Sequence, residues 1–332
     1  MKTTAPALSL DDVQAARRRI ASGLRLTPCP IAPALSEIAG MEIRLKRDDL
    51  QRTGSFKERG ARNALLCLTA EERARGVVAA SAGNHALGLA YHGAQLGVSV
   101  TVVMPAGAPA VKINRCRGLG ANVVLHGENF EAAQGHAREL ALAGQATLVH
   151  PFDDLRVIAG QGTMALEILE QAPDFDTLVV PVGGGGLLAG IVTVVKALRP
   201  DVRIVAVEPA GAASFQAARL HGQPVNAPLT ATLADGLSVA CVGTTTFALS
   251  QHLVDDLVTV TEEELALAVR LLACRVGIVA EGAGAAALAA VLSGRVKACS
   301  VVLPIGGRNI DAAVHQNVMG CECASEKIFR AA

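Results

Sequence analysis

Between residues 76 and 150 the chain alternates between short apolar segments and segments whose apolar residues recur at helical spacing. The apolar segments, at 76–80, 99–104, 122–126 and 147–150, have the length and the valine content of β-strands. The segments between them, at 84–96, 109–119 and 130–142, have the length of helices. Because each helix must carry the chain back across the sheet, the strands are expected to lie parallel. The pattern predicts a compact α/β unit with a parallel sheet.

A second, longer alternation surrounds this block. It predicts strands at 42–46, 177–181, 202–207 and 298–303, and helices at 11–24, 56–68, 187–198, 262–275 and 284–292. Hydrophobic residues make up 51% of the chain, but aromatic residues only 2%, and tryptophan is absent. A core of alanine, valine, leucine and isoleucine suits parallel strands that helices cover on both faces. The chain as a whole is therefore predicted to have an α/β fold.

The charge of the chain restricts the partners that can be expected, and its cysteine content restricts the cellular compartment. The chain carries 30 basic and 30 acidic residues with no long run of either, so nothing predicts a nucleic-acid or membrane-surface partner. Eight scattered cysteines without CxxC spacing indicate reduced core thiols. The first residues lack the apolar segment of a secretory signal, and no apolar run reaches the ~18 residues of a membrane span. A cytoplasmic location is the expectation.

Four successive glycines, Gly183, Gly184, Gly185 and Gly186, stand between a predicted strand and a predicted helix. Without Cβ atoms their backbone N–H groups are open to a ligand, and the helix start carries a partial positive charge. This combination predicts a phosphate site. No Lys-Ser or Lys-Thr pair follows the glycines, so the segment is not a P-loop.

The glycines alone leave the kind of phosphate open. Gly184, Gly186 and Ala189 also fit the pattern G-x-G-x-x-A, and Glu208 follows about 20 residues later, after a strand. That arrangement is typical of dinucleotide-binding folds, although a run of glycines satisfies many such patterns. A nicotinamide-dependent oxidoreductase is therefore a real alternative.

Lys57 stands near the start of the helix predicted at 56–68, for which Ser55 is the candidate N-cap. A lysine beside a helix N-terminus lies in a positive field, which favours its neutral amine. The neutral amine is the form that condenses with a carbonyl to give a Schiff base. Lys57 is therefore the candidate for a covalent cofactor link.

The segment LKRDDLQRTGSFKERGA, at 45–61, resembles the cofactor-lysine segment of the fold-type II pyridoxal-phosphate (PLP) enzymes, in the threonine/serine dehydratase branch. SAGNHALG, at 81–88, resembles the loop that holds the substrate carboxylate in that family. The tetraglycine run is similar to the family's phosphate loop, and EGAGAAAL, at 281–288, to a helix start near the cofactor. The resemblance covers about residues 15–315.

The resemblance implies PLP as the cofactor and assigns a role to each matching residue. Lys57 would hold PLP as a Schiff base and later move the proton at Cα, Phe56 would pack beside the ring, and Asn84 would hydrogen-bond the ring 3-hydroxyl. The other cofactor contacts would be Gly183, Gly184, Gly185, Gly186 and Leu187 at the phosphate, with Glu281 and Gly306 nearer the ring. The substrate would be bound by Ser81, Ala82, Gly83, Asn84 and His85.

Three departures from the family pattern alter these expectations. Racemases of the family carry a serine where this chain has Ala82, and alanine cannot move a proton. Gly306 stands where family members offer a serine or similar side chain to the pyridine nitrogen, and Arg308 is unusual in the same stretch. The family's cation site needs Glu208 and a second acid where this chain has Ser214, so no metal is expected.

Two other groups of polar residues are interpreted as structural and not as catalytic or metal-binding. Cys321, Cys323 and His315 match no standard zinc spacing. Asp48 and Asp49 are expected to cap a turn or to pair with Arg47 or Arg52.

The resemblance implies two open, twisted, mostly parallel sheets flanked by helices, in the arrangement of the tryptophan synthase β chain, with the cofactor in the cleft between two domains. The large domain would comprise residues 1–75 and 153–332, and the small domain residues 76–152. Because the chain ends soon after the catalytic region, a short form without the regulatory domain, and without feedback inhibition by isoleucine, is expected.

The implied activity is α,β-elimination of L-threonine and L-serine to the 2-oxo acid and ammonia. An alternative within the class is the dehydration of another β-hydroxy amino acid, such as phenylserine, 3-hydroxyaspartate or a hydroxyectoine breakdown product. Outside it stand the nicotinamide oxidoreductase and a non-catalytic PLP-binding protein. The expected partners are the small amino-acid substrate and further copies of the chain, in a homodimer or homotetramer.

Overall fold

The computed structural model describes residues 7–320, within which the chain forms two sheets. The strands are β1 (Glu42–Lys46), β2 (Val77–Ala80), β3 (Val100–Met104), β4 (Asn122–Leu125), β5 (Thr147–Leu148), β6 (Thr177–Pro181), β7 (Arg203–Pro209), β8 (Asp256–Val260) and β9 (Ser300–Pro304). The order is β1-β9-β6-β7-β8 in the first sheet and β4-β3-β2-β5 in the second. Every pair of neighbouring strands is parallel, which confirms the predicted fold class.

Helices cover both faces of the first sheet, as the low aromatic content predicts. Along β6, Val179 packs into one apolar core, whereas Leu178 and Val180 pack into another on the opposite face. The helices are α1 (Leu10–Ile20), α2 (Pro33–Ala39), α3 (Lys57–Leu66), α4 (Ala70–Arg75), α5 (Asn84–Leu96), α6 (Ala110–Gly118), α7 (Phe130–Ala143), α8 (Leu155–Gln171), α9 (Gly186–Leu198), α10 (Ser214–His221), α11 (Thr244–Ser250), α12 (Glu262–Val276), α13 (Gly282–Leu292) and α14 (Ala312–Gly320).

All four strands of the second sheet lie between residues 76 and 152, and all five strands of the first sheet lie outside that range. The two sheets thus correspond to the two blocks of alternation in the sequence. The domain boundaries themselves, at 76 and 152, stay a prediction.

The order of strands reverses direction in each sheet. In the first sheet the chain runs from β6 outward to β7 and β8 on one side, with β9 and β1 on the other; in the second it runs from β2 outward to β3 and β4, with β5 on the other side. Ligands of parallel α/β sheets bind at such switch points, beyond the carboxyl ends of the strands. The segments after β1, β2, β6 and β9 carry the residues singled out by the sequence.

The helix that begins with Lys57, α3, is buried along most of its length, including its charged residues. Arg59 donates hydrogen bonds to Asp48 at 2.6 Å and to Glu167 at 2.6 Å, and Lys46 donates to Glu167 at 2.6 Å. All four side chains are nearly inaccessible to solvent. This buried ion cluster joins α3 to β1 and α8, and it fixes the helix on which Lys57 lies.

Several expectations about single residues are wrong. Ser55 does not cap α3, because its backbone forms a bridge with Gly307 and Phe56 takes the cap position. Asp49 pairs with Arg47 as expected, but Asp48 pairs with Arg59. Of the cysteines, Cys274 and Cys299 are exposed and so are not core thiols, whereas Cys29 and Cys116 are buried. The group with Cys321 and Cys323 lies outside the described residues.

No helix within residues 7–320 is long and apolar enough to cross a bilayer.

Candidate active site

Lys57 is the first residue of α3, and its side chain is half-buried and lines a cavity. Its Nζ donates to the carbonyl of Pro151 at 2.9 Å and lies 5.3 Å from the centre of the Phe56 ring. Burial lowers the pKa of Lys57 to about 8, and the nearby carboxylate of Glu281 opposes that shift. The helix start predicted the direction of this change, but burial is its main cause. Near neutral pH a useful fraction of the amine is therefore unprotonated and nucleophilic.

The loop after β2 carries the second predicted group. Ser81 accepts a hydrogen bond from the N–H of Gly83 at 3.2 Å, and Gly83 precedes α5, which begins with Asn84. The N–H groups of the first turn of a helix have no acceptor within the helix, and the helix dipole makes this end attractive to an anion. The start of α5 can therefore bind a carboxylate.

His85 follows in the same turn and is buried. Burial lowers the pKa of His85 to about 3, and the nearby Lys57 lowers it further. One ring nitrogen lies 3.4 Å from the carbonyl of Val149. His85 is therefore neutral at physiological pH and adds no positive charge to the loop.

Asn84 lies in a closed set of hydrogen bonds. Its Nδ2 donates to Oε1 of Glu281 at 2.7 Å, and its Oδ1 accepts from Nδ2 of Asn309 at 2.6 Å. The backbone N–H of Asn309 donates to Oε2 of Glu281 at 3.0 Å, which completes the triangle. Burial and the charge of Asp235 raise the pKa of Glu281 to about 7, while its hydrogen bonds to Asn84 and Asn309 act in the opposite direction.

The four glycines form the turn between β6 and α9. A Cβ built on Gly184 would lie 2.2 Å from the ring of Phe152, and one on Gly183 would lie 2.9 Å from the backbone of Leu237. Gly185 has a φ of +88°, a left-handed conformation that side chains disfavour. The amides at the start of α9, beginning with Gly186, have no acceptor within the helix. The turn thus lines the cavity as a cup of backbone N–H donors, and side chains at these positions would clash or strain it.

Gly306 follows β9 and lies beside Phe56. Its carbonyl accepts from the N–H of Phe56 at 2.9 Å, and a Cβ on Gly306 would lie 3.2 Å from the Phe56 ring. Arg308, the unusual residue nearby, is exposed, and its N–H donates to the carbonyl of Gly54. Gly306 brings no side chain to this part of the site.

One cavity of about 730 Å³ collects the predicted residues. It is lined by Phe56, Lys57, Ser81, Ala82, Gly83, Asn84, His85, Gly183, Gly184, Gly185, Gly186, Leu187, Glu281 and Gly306. A lysine amine, a cup of N–H donors and an amide side chain on a shared wall suit an aldehyde that carries a phosphate and a ring hydroxyl. The residues therefore fit PLP.

The cavity also contains residues that sequence reasoning missed. His150, Phe152 and Asp153 follow β5 and line its wall, and so does the segment 235–244. Asp153 accepts from the N–H groups of Thr245 and Thr246 and so holds α11 beside the cup. The position of 150–153 at the carboxyl end of a predicted parallel strand was the signal that could have found them.

Glu208, the acid of the dinucleotide-like pattern, does not reach the cavity. Its two carboxylate oxygens accept from the N–H groups of Phe215 at 2.7 Å and Gln216 at 2.9 Å, at the start of α10. Burial raises the pKa of Glu208 to about 7. It acts as a buried acceptor for a helix start, and a ribose has no access to it.

The fold and the site define a PLP-dependent enzyme of fold type II. Residues 20–307 match the family described as pyridoxal-phosphate dependent enzyme. The chain therefore belongs to this family, within its threonine/serine dehydratase branch, and the nicotinamide alternative is wrong.

Named relatives have similar sequences and folds. The chain is 43% identical over 325 residues to L-threonine ammonia-lyase of Thermotoga maritima, covering 97% of this chain and 81% of that protein. It is 37% identical to the processed form of threonine deaminase isoform 2 from Solanum lycopersicum, with a TM-score of 0.87 over 95% of this chain and 94% of that one. It is 39% identical to serine racemase from Dictyostelium discoideum, with a TM-score of 0.86 over 92% and 99% of the two chains.

Proposed function

We propose that the protein is a PLP-dependent ammonia-lyase that acts on L-threonine and L-serine. The observation that carries this proposal is the shared cavity of Lys57, the tetraglycine cup and the start of α5. It provides, side by side, an attachment point, a phosphate site and a carboxylate site. The names of the relatives, L-threonine ammonia-lyase and threonine deaminase, support the same substrate class.

In this proposal the residues that hold PLP are Lys57 at the aldehyde, Asn84 at the ring hydroxyl and the amides of the cup at the phosphate. When bound, PLP supplies an electron sink that lowers the barrier to losing the proton at Cα of an amino acid. Phe56 and Gly306 leave an apolar wall beside Lys57.

The substrate carboxylate binds at the start of α5. The donors are backbone N–H groups of the turn, including that of Asn84, together with the hydroxyl of Ser81, and the neutral His85 contributes no charge. Because the helix dipole and the amides supply the attraction, no arginine is needed for the carboxylate. This contact fixes the amino acid so that its Cα faces Lys57.

Lys57 then takes the proton from Cα. Its pKa of about 8 allows the amine to accept a proton near neutral pH and to return it later. The β-hydroxyl leaves with its bonding electrons and takes up the proton that Lys57 removed, which gives water. The resulting enamine is released and hydrolyses to the 2-oxo acid and ammonia.

A bulkier β-hydroxy amino acid is the second candidate substrate. Phe130 and Leu229 line the cavity and are 37% and 45% exposed, which is unusual for large apolar side chains. An apolar group on Cβ, larger than the methyl group of threonine, would cover them.

A panel of β-hydroxy amino acids scored by ammonia release tests both candidates. We expect L-threonine and L-serine to be consumed, and Lys57→Ala to lower turnover by at least ~10³-fold. The matched control is Lys297→Ala, an exposed lysine outside the cavity. Turnover of phenylserine alone would favour the second candidate, and ammonia release that survives in Lys57→Ala would exclude the mechanism.

We also propose a cytoplasmic location, assembly into a homodimer or homotetramer, and division into domains at residues 76 and 152. The separation of the nine strands into two sheets at these residues supports the last point. Sedimentation of the purified protein tests the assembly.

A further inference from the structure

A contact crosses from α6, which lies beside the second sheet, to the loop after β9 of the first sheet. Arg115 of α6 donates from Nη2 to Oδ1 of Asn309 at 3.0 Å. Asn309 in turn donates from Nδ2 to Oδ1 of Asn84 at 2.6 Å and to the carbonyl of Thr53 at 2.9 Å. Asn84 donates to Glu281 at 2.7 Å. A chain of hydrogen bonds therefore runs from an exposed arginine to the cavity wall.

The groups at the two ends of this series of hydrogen bonds have fixed donor and acceptor roles. Arginine can only donate, and a backbone carbonyl can only accept. Arg115 and Thr53 therefore both require Asn309 to turn its oxygen toward α6 and its NH2 group toward Asn84. Asn84 must then present its oxygen to Asn309 and its NH2 group to Glu281. The second hydrogen of that NH2 group is left for the cavity.

We propose that Asn309 is a positioning residue that makes Asn84 present an N–H donor to the ring hydroxyl of PLP, and that Arg115 links this donor to the position of α6. A donor at this place favours the ionised ring oxygen, because a hydrogen bond to a charged form stabilises it. The inference rests on the assignment of Asn84 proposed above, but it concerns cofactor binding and needs no substrate.

The contacts predict that the loss of Asn309 weakens PLP binding more than the loss of Arg115. Asn309 is partly buried and holds both Thr53 and Asn84, so its loss removes the constraint altogether. Arg115 is exposed, and Thr53 still orients Asn309 without it. Arg115 therefore has the smaller effect, and that effect depends on Asn309.

The first test compares Asn309→Asp with Asn114→Asp, which makes the same change at an exposed position of α6. An aspartate at 309 can still accept from Arg115 but cannot donate to Asn84 or to Thr53. We expect the dissociation constant of PLP to rise about tenfold or more, and the pH at which the visible absorbance of the bound cofactor changes to move upward. Asn114→Asp should behave as the wild type in both measurements.

A purely structural role for Asn309 predicts another result. The melting temperature of the apo-protein would fall, but at saturating PLP the absorbance and its pH dependence would equal those of the wild type, and the proposal would be overturned. Because Asn309→Asp also places a charge near Glu281, Asn309→Ala is the second variant. We expect it to weaken PLP binding without that charge.

A double-mutant cycle tests the link to α6. Arg115→Ala should raise the dissociation constant of PLP about two- to threefold, whereas Arg117→Ala, an exposed control on the same helix, should not. In the Asn309→Ala background Arg115→Ala should have no further effect, because its contact is already lost. Equal effects of Arg115→Ala in both backgrounds would refute the link. All measurements omit substrate, so failure to consume threonine would leave their outcome interpretable.

Discussion

The ring of Phe152 lies so close to Gly184 that a Cβ built on the glycine would be 2.2 Å from the ring. Phe152 follows the last strand of the second sheet, and Gly184 follows the central strand of the first. The glycine turn proposed as the phosphate cup therefore packs against the loop that follows β5. Position 184 requires glycine because the ring of Phe152 leaves no room for a side chain. Position 185 requires glycine because its φ is positive, which side chains disfavour.

Gly184→Ala should weaken PLP retention at least about tenfold, because the methyl group would displace Phe152 or distort the cup. Dialysis followed by measurement of bound PLP checks this. The matched control is Gly135→Ala, in a helix with open space around the Cβ position, where alanine is expected to be neutral or stabilising. Equal retention of PLP in the wild type and Gly184→Ala would count against the cup.

Attachment of PLP to the apo-protein should accelerate with pH, reach half of its maximal rate near pH 8 and level off above that pH. Only the neutral amine attacks the aldehyde, and burial lowers the pKa of Lys57 to about 8 from its ordinary 10.5. Stopped-flow absorbance gives the rate at each pH. Reduction with borohydride and peptide mapping should then find the pyridoxyl group on Lys57. A rate that keeps rising to pH 10, or a label on Lys46, would contradict the assignment.

The sequence predicted the glycine cup, Lys57 and the loop at 81–85 because each depends on local order along the chain. It did not predict α8, whose interior glycines weaken helix propensity. The fold requires those glycines: a Cβ on Gly160 would lie 2.6 Å from the backbone of α3, and one on Gly162 would lie 2.8 Å from Gly190. Such close approach of helices far apart in sequence leaves no local pattern.

Asn309 was missed for a related reason. Its partners, Thr53, Asn84, Glu281 and Arg115, come from four separate parts of the sequence. The resemblance to the family pointed to Gly306 and Arg308, whereas in the structure Asn309 makes the polar contacts. Hydrogen-bond networks that join loops of different strands become visible only once the strand order is known.

Glu208 should make the protein less stable as the pH rises from about 4.5 to 7. Burial raises its pKa from 4.5 to about 7, so folding favours the protonated form. The stabilisation is complete below pH 4.5 and is lost as the pH rises through 7, by up to ~3 kcal/mol. The stability of the wild type relative to Glu208→Gln should therefore fall across this range. Urea unfolding at several pH values measures it, with Glu37→Gln, exposed on α2, as the control. A difference that does not change with pH would refute the assignment.

Two ion pairs on α8 should differ sharply in their importance. Lys46 pairs with Glu167 in the buried cluster, whereas Arg17 pairs with Glu170 on the surface. Lys46→Met should destabilise the protein by about 3 kcal/mol or more, since it leaves the buried cluster unbalanced. Arg17→Met should cost less than about 1 kcal/mol. Urea midpoints compare the two variants, and similar shifts would show that the cluster does not hold α3 in the way described.

The enzyme should eliminate and should not racemise, although serine racemase from Dictyostelium discoideum is among its structural relatives. Inversion of a stereocentre needs a proton donor on each face of the planar carbanion, because one group cannot reach both. Lys57 serves one face. Racemases of the family carry a serine at the position of Ala82, which here lines the cavity with a methyl group. Ser81, the neighbouring hydroxyl, already accepts from the N–H of Gly83.

Incubation with L-serine should therefore yield pyruvate and ammonia with little D-serine, as measured by chiral chromatography beside a coupled assay for pyruvate. Ala82→Ser should restore some formation of D-serine, because it returns a hydroxyl to the second face. Ala86→Ser, on the first turn of α5 and fully buried outside the cavity, is the matched control and should form none. D-serine forming in the wild type as fast as pyruvate would refute the prediction, since another residue would then supply the second proton.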